Sequence, residues 1–462
     1  MANTNQNEVK PMEEDTGLTT TTQQDFSPEL LRIYYSRLFP YTQMFRWLSY
    51  GNDPEAKEEL AGGERDLFYR REFSFTLEDD IYLRYQAFRT AEEMRAEMMK
   101  KQPHKIDIGA VFTVPPPQHA TVKPAAFRPA SRELVFDIDM NDYDDVRTCC
   151  AGAVVCRRCW AFMTCAVKVL DAALREDFGF RHVLFVYSGR RGVHCWVADE
   201  GARLLPNEAR AAVVDYLSVV AGNENSDRRT NLTWPLHPSL ARAYTLLLPY
   251  FEETMVDADG QDILGTEERR RKLLATVPHA GLREKFAAAW GGVRGAQTTE
   301  LEKWESLVAA VDAQAEKERQ SRRSSAKRPA PQKNDPVTAL KLWKYETVFC
   351  HCYPRLDENV SKGMNHLLKS PFAVHPKTGR VCVPIDADTC EDFNPLSVPT
   401  LGTLCNQLDN YATPEEVKDF EKTDLKQYID GFDKDFLGPL YKSIRAKARQ
   451  EAESMSAIRN DW

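Results

Sequence analysis

The chain has 462 residues, 42% of them hydrophobic, enough for a large buried core and two to three folding units. It contains no stretch of about 18 uninterrupted apolar residues and no apolar run near its start, which argues against a membrane span or signal peptide and for an intracellular protein. The net charge of −8 counts against broad nucleic-acid binding, but residues 1–26 hold one Lys against five acids, whereas residues 354–380 hold five Lys or Arg and two His against two acids.

Residues 1–26 are polar and Thr/Gln-rich, the composition of a disordered acidic tail. From Pro28 to Leu48 the pattern is helical, interrupted near Pro40. Between Phe73 and Ile108 a helix is predicted to open at Thr76, with Asp79 three residues on, followed by short strands; residues 112–130 read as a Pro-rich loop. In Glu-Leu-Val-Phe-Asp-Ile-Asp, Leu134, Phe136 and Ile138 alternate with Val135, Asp137 and Asp139, so a strand would bury one face and point both carboxylates off the other. Solvated acids at a strand edge are the bland reading of such a pair. Like charges on one face repel, however, and a bound cation or a distant basic group would neutralise them. Two carboxylates at this spacing can converge on a pair of Mg²⁺ or Mn²⁺ ions and clamp an attack on phosphorus.

A group of cysteines follows, Cys149-Cys150-x5-Cys156-x2-Cys159. In a reducing compartment four thiols this close suit a structural Zn²⁺ knuckle better than disulfides. The remaining seven, Cys165, Cys195, Cys350, Cys352, Cys382, Cys390 and Cys405, read as incidental or buried thiols. Trp160 to Leu174 is expected to be a helix ending before Gly179, and Val183–Tyr187 and Val193–Val197 are short strands joined by Ser188-Gly-Arg-Arg-Gly. Gly189 and Gly192 permit close backbone approach, Ser188, Arg190 and Arg191 supply phosphate-binding groups, and His194 stands on the returning strand. A hairpin with a basic tip would by itself be unremarkable; beside the Asp pair it points to a metal-dependent site for nucleoside triphosphates.

From about Leu205 to Ala315 helical patterns dominate, as in Asn207–Val220, Glu267–Ala275 and Thr298–Val311, which predicts a helical insertion over 205–315. Residues 314–333 carry seven Lys or Arg, two Glu and little apolar content, so 316–340 reads as a basic flexible linker; Arg322-Arg-Ser-Ser-Ala-Lys-Arg also has the composition of a nuclear import signal. The chain returns to the core through Val374–Ile385, and Thr413-Pro-Glu-Glu reads as a helix start opening a C-terminal helical segment over 411–462.

Three stretches together carry a resemblance: Phe136-Asp137-Ile138-Asp139; Ser188-Gly-Arg-Arg-Gly-Val-His194; and Arg355-Leu-Asp357 ahead of Ser361-Lys-Gly-Met-Asn-His-Leu-Leu-Lys369-Ser-Pro-Phe-Ala-Val-His375-Pro. The sequence resembles the small catalytic subunit of eukaryotic DNA primase, within the archaeo-eukaryotic primase family, from about Pro28 to about Cys405. The resemblance implies an α/β (α+β) fold of mixed sheets flanked by helices, with a discontinuous catalytic domain over 27–204 and 341–410 and a zinc knuckle at 149–159. It implies that Asp137, Asp139 and Asp357 hold two catalytic Mg²⁺ or Mn²⁺ ions, that Ser188, Arg190, Arg191, His194, Lys369 and His375 contact the triphosphate, and that Glu72, Arg84 and Asp107 lie near the nucleotide. It implies Zn²⁺ at Cys149, Cys150, Cys156 and Cys159. The expected activity is DNA-directed synthesis of RNA primers from ribonucleoside triphosphates on single-stranded DNA, in the nucleus, with a primase large subunit and the catalytic and accessory subunits of DNA polymerase alpha as partners. A DNA-synthesising primase-polymerase or repair polymerase of the same superfamily, a non-catalytic replication scaffold, and a two-metal nuclease are the competing readings.

Overall fold

The computed structural model describes residues 25–51, 66–221, 229–292, 295, 297–324, 335–412 and 416–460. Two antiparallel sheets form its centre. Sheet A contains β1 (Arg71–Thr76), β2 (Tyr82–Gln86), β3 (Lys105–Phe112), β4 (Pro129–Ser131) and, from far along the chain, β10 (Leu368–Lys369). Its order is β10-β3-β1-β2, with β4 also paired to β3. Sheet B contains β5 (Leu134–Asp139), β6 (Val183–Tyr187), β7 (Gly192–Val197) and β11 (Pro384–Ile385), in the order β11-β6-β7-β5. Residues beyond the helical insertion thus add one strand to each sheet. The insertion itself holds a two-rung hairpin of β8 (Val220–Ala221) and β9 (Arg229–Thr230).

Side chains alternate along each strand, and in sheet B the face that carries Asp137 and His194 also carries the buried Val135 and Trp196. In sheet A, Phe73, Phe75, Ile106 and Ile108 are fully buried, and the N-terminal helices Pro28–Arg37 and Tyr41–Ser49 each pack against helix Ala91–Lys101. Tyr34 and Tyr35 tie the first of these down, their hydroxyls donating to Phe372 O at 2.8 Å and Pro103 O at 2.6 Å. In sheet B, Phe136, Cys195 and Phe185 share a row that packs against helix Arg157–Glu176. On its other face Trp196 meets Trp47 edge-on at 5.4 Å, and Phe432 and Phe436 from the C-terminal segment close over Trp47.

A buried ionic latch joins the sheets. Arg71 on β1 makes a two-pronged pair with Glu133, 2.8 and 2.9 Å, just before β5. Burial opposes the Glu133 charge, but Arg71 and the Tyr50 hydroxyl outweigh it and hold the carboxyl at about 2. Arg210 of the insertion donates to Glu133 O at 3.1 Å. Breaking such a pair from one side costs about 3–5 kcal/mol.

Several elements differ from expectation. No helix opens at Thr76: that residue ends β1, and Glu78–Asp80 is a single 3₁₀ turn with Asp79 and Asp80 at positive φ, turning the chain into β2. Three consecutive acids offer no apolar stripe, so pairing of β1 with β2 prevails over a local cap. The helix in this region runs instead over Ala91–Lys101, capped by Thr90. The expected linker over 316–340 is largely helical at both ends. Helix Glu300–Ser324 runs nine residues past 315 and helix Pro336–Cys352 begins before 340, because the two pack against each other. Arg322 pairs with Asp335 across the gap, and Lys344 pairs with Asp312 at 2.7 Å. Residues 325–334 fall outside the described residues. So do residues 1–24 of the expected tail and 413–415 of the expected helix start; the next helical turn after them is Asp419–Lys422. Among the described residues no helix is long and apolar enough to cross a membrane.

Candidate active site

The register of β5 against β7 sets Asp137 opposite His194 and Asp139 opposite Gly192. Gly192 is required there, since a Cβ would lie 2.3 Å from Ile138 O. The third acid arrives through the backbone: Asp357 N donates to Asp137 O at 3.0 Å. Asp357 then caps the short helix Glu358–Lys362, its Oδ1 accepting from Asn359 N at 3.1 Å. Two buried arginines hold this segment. Arg132 donates to Val360 O and Gly363 O at 3.1 and 2.6 Å. Arg355 donates to Asp142 O, Asp145 and, at 2.7 Å, Cys350 O, with its guanidinium over the Tyr143 ring. Arg355 therefore positions the third motif from beneath. Nothing in the spacing of Arg132 marked it for such a role, since its partners are carbonyls some 230 residues away.

Burial, then the charges of Asp139 and Asp357, push the Asp137 carboxyl up to about 7. This is the signature of carboxylates assembled without enough local countercharge. Arg191 offsets part of it, reaching Asp139 at 2.7 Å. Hard carboxylate oxygens on one strand face with a third acid beside them suit Mg²⁺ or Mn²⁺ as a donor set. His194, nearly buried, lies 3.6 Å from Asp137. Burial and the Lys369 charge lower it to about 3, which favours the neutral ring over a cation.

The hairpin between β6 and β7 is held open toward this site. Ser188 Oγ accepts from Gly192 N at 3.0 Å and Tyr187 donates to Arg190 O at 3.0 Å. Gly189 has φ +85°, and a Cβ there would meet His375 Cβ at 2.7 Å; Thr378 donates to Gly189 O at 2.6 Å. The turn carrying His375 is thus fastened to the hairpin tip. Lys369 of β10 bridges the two sheets, its Nζ donating to Ser188 O at 3.1 Å. His375 is also held neutral, by burial and then by the Lys369 and Arg190 charges, at about 2.

The polar face of sheet A supplies the remaining candidates. Asp107 lies opposite Lys369 on β10 and accepts from Ser74 Oγ at 3.0 Å, and burial raises its carboxyl above the ordinary value. Glu72, 1% exposed, is gripped by Arg84 at 2.9 and 3.0 Å. The structure therefore brings together Asp137, Asp139, Asp357, Ser188, Arg190, Arg191, His194, Lys369 and His375, with Asp107 attached through Lys369. Glu72 and Arg84 engage each other farther along sheet A.

The four cysteine sulfurs all lie within 4.8 Å of one another, the one such group of three or more His, Cys, Asp or Glu ligands among the described residues. A Zn–S distance of about 2.3 Å in a tetrahedron needs sulfurs about 3.8 Å apart, so the cluster fits the ion. Cys156 N donates to Cys159 Sγ at 3.3 Å where helix Arg157–Glu176 begins. Around it, Gln261 donates to Cys149 Sγ at 3.3 Å, and Arg147 approaches Cys159 Sγ at 3.9 Å while also donating to Gly152 O and Val154 O. These two outer partners were not legible in the sequence, because Gln261 lies 112 residues away and forms its contact only on folding. Of the other cysteines, Cys165, Cys195, Cys352, Cys382, Cys390 and Cys405 are buried and Cys350 is half-buried.

Residues 136–387, more than half of the chain, match the DNA primase small subunit family. The chain belongs to that family. It is 39% identical to the DNA primase small subunit of Drosophila melanogaster over 93% of its own length and 96% of the relative's. It is 33% identical to that of Saccharomyces cerevisiae, over 92% and 94%. Similarity extends to the archaeal small subunit PriS of Thermococcus kodakarensis, 26% identical over 57% of this chain and 66% of that one. The fold of helices around antiparallel sheets is that expected of the family. Membership supports a catalytic primase role.

Proposed function

We propose that the chain is the catalytic subunit of a primase that synthesises short RNA primers on single-stranded DNA during replication, by two-metal transfer of ribonucleotides. The observation that carries the reading is the placement of three carboxylates, Asp137, Asp139 and Asp357, beside a hairpin and turn lined by Arg190, Arg191, Lys369 and two neutral histidines. Asp137, Asp139 and Asp357 would hold Mg²⁺ or Mn²⁺. When bound, such ions lower the pKa of the attacking 3′-hydroxyl and offset charge on the departing pyrophosphate. The chain's own part is to bind and orient. Arg190 and Arg191 offer forked donors to phosphate oxygens, Lys369 a point charge between the sheets, and His194 and His375 hydrogen bonds that add no charge. The Ser188–Gly192 hairpin is preorganised by its internal hydrogen bonds, so little ordering is left for the bound state. Asp107, Glu72 and Arg84 would line the nucleotide side of sheet A. The zinc would be structural, anchoring the start of helix Arg157–Glu176, since four cysteines fill a tetrahedral shell.

Initiation from two free nucleotides requires both to be immobilised together, an entropic demand that favours a partner. A primase large subunit fits that need, within an assembly containing the catalytic and accessory subunits of DNA polymerase alpha in the nucleus. The test is a primer-synthesis assay on poly-pyrimidine DNA with labelled ribonucleotides and Mg²⁺ or Mn²⁺, with and without the large subunit. Labelled RNA products support the reading, and activity confined to deoxynucleotides, or no synthesis in either case, overturns it. Arg190→Ala and Arg191→Ala should raise the nucleotide KM and leave template Kd unchanged; loss of template affinity with an unaltered KM would instead move these arginines to the DNA backbone.

A further inference from the structure

Arg71, Arg132 and Arg210 are all fully buried around the start of β5, with the carboxylate of Glu133 among them. Arg71 takes that carboxylate with two hydrogen bonds. Arg210 is saturated by carbonyls: its Nε donates to Leu205 O at 2.9 Å, its Nη1 to Glu133 O at 3.1 Å, and its Nη2 to Arg132 O, Ala202 O and Arg203 O. Arg132 is placed differently. Among the described residues no carboxylate pairs with it, and its Nη1 alone is engaged, by Val360 O at 3.1 Å and Gly363 O at 2.6 Å. Burial and the Arg210 charge lower it to about 9, the direction expected of a cation taken from water without a counter-ion of its own.

The other donor atoms of Arg132, Nε and Nη2, are buried and have no partner. A buried donor left unmet costs about 1–3 kcal/mol, more when the group is charged. The Ser361 hydroxyl, 0% exposed, is likewise without a partner. It belongs to the same turn, since Val360 and Gly363 flank Ser361 in sequence and their carbonyls both hold Arg132 Nη1; the planar guanidinium sets Nη2 beside that turn. Donors next to unbalanced positive charge call for an acceptor. A water accepts from some neighbours but must also donate to others, whereas an anion accepts on every side and offsets the charge as well. Arg132 and Ser361 are closed off from solvent, which suits a small monoatomic anion and not a phosphate ester.

We propose that a chloride ion binds between Arg132 and Ser361 and fastens the helix Glu358–Lys362, with Asp357 at its cap, to the start of β5. The ion would accept from Arg132 Nε and Nη2 and from Ser361 Oγ, charge-assisted bonds that a neutral ligand cannot match. The test uses the full chain with chloride, bromide and phosphate as probes, against gluconate at constant ionic strength. Tm should rise with chloride or bromide as mass action requires, giving an apparent Kd, and stay flat in gluconate and phosphate. Ser361→Ala should raise that Kd about tenfold by removing one hydrogen bond to a charged group. Arg132→Lys keeps the charge but loses the forked donors, and should abolish the chloride dependence. Should Arg132→Lys fail to fold, wild-type crystals grown in bromide decide the matter, with an anomalous peak expected beside Arg132 Nη2 and Ser361 Oγ. An equal Tm in chloride and gluconate, the same chloride dependence in Ser361→Ala as in wild type, stabilisation by phosphate in place of halide, or bromide crystals with no anomalous peak at the site would each overturn the assignment, the last by leaving a water there.

Discussion

Replacing Asp137 by Asn should remove primer synthesis and yet make the protein more stable. The Asp137 carboxyl is raised from its ordinary 3.8 to about 7 by burial and by Asp139 and Asp357. Between those two pH values the unfolded chain gives up its proton while the folded chain keeps it, so folding stability falls as pH rises through this window and levels off above about 7. At about 1.4 kcal/mol per tenfold change in proton affinity, the full shift amounts to at most about 4 kcal/mol. The side chain keeps 29% exposure, and solvent and salt screening reduce this to about 1–2 kcal/mol. A chain of this length unfolds with an entropy of about 1 kcal/mol per degree, so Tm should rise by about 1–2 °C in Asp137→Asn at pH 8. The assay is differential scanning fluorimetry of both proteins in EDTA from pH 5 to 8.5. The gap should widen up to pH 7, stay constant above it, and narrow when Mg²⁺ offsets the repulsion in wild type. A variant that melts at or below wild type at pH 8, or a gap independent of pH, would refute the account of Asp137 as a carboxylate held against its own charge.

Other outcomes follow from neighbouring features. Cys149→Ser should lose stoichiometric zinc by elemental analysis and melt several degrees lower, since the cluster anchors the long helix under sheet B; full zinc content would remove Cys149 from the shell. Gly189→Ala should raise nucleotide KM severalfold with little change in Tm, because φ +85° and the 2.7 Å approach to His375 strain the hairpin and displace the turn; an unchanged KM would detach that turn from the nucleotide. Arg355→Ala should cost about 3–5 kcal/mol of stability by removing its buried bonds to Asp142 O, Asp145 and Cys350 O. A stable variant with a raised nucleotide KM would make Arg355 a substrate contact instead.

The chain's alternating strand Leu134–Asp139, its Gly-flanked basic hairpin and its clustered cysteines were legible because each is a local pattern whose chemistry lies within a few residues. The same holds for the helix break at Pro40 and for the helix after the cysteines, where periodicity and punctuation act over one or two turns. Local signals failed where packing overrode them. Thr76 has a capping residue's chemistry but ends a strand because β1 gains partners on both sides. The polar 316–324 stretch is helical because its helix continues from a packed face against Pro336–Cys352. Only the tertiary structure decided how the distant pieces meet: Asp357 bonded to the Asp137 backbone, Lys369 spanning the sheets to Ser188, Gln261 against Cys149, and Arg132 holding carbonyls beyond residue 359. Residue types and spacing determine what chemistry a segment can offer. Which segments share a site depends on backbone hydrogen bonds and burial between residues more than a hundred positions apart, and no local pattern encodes those.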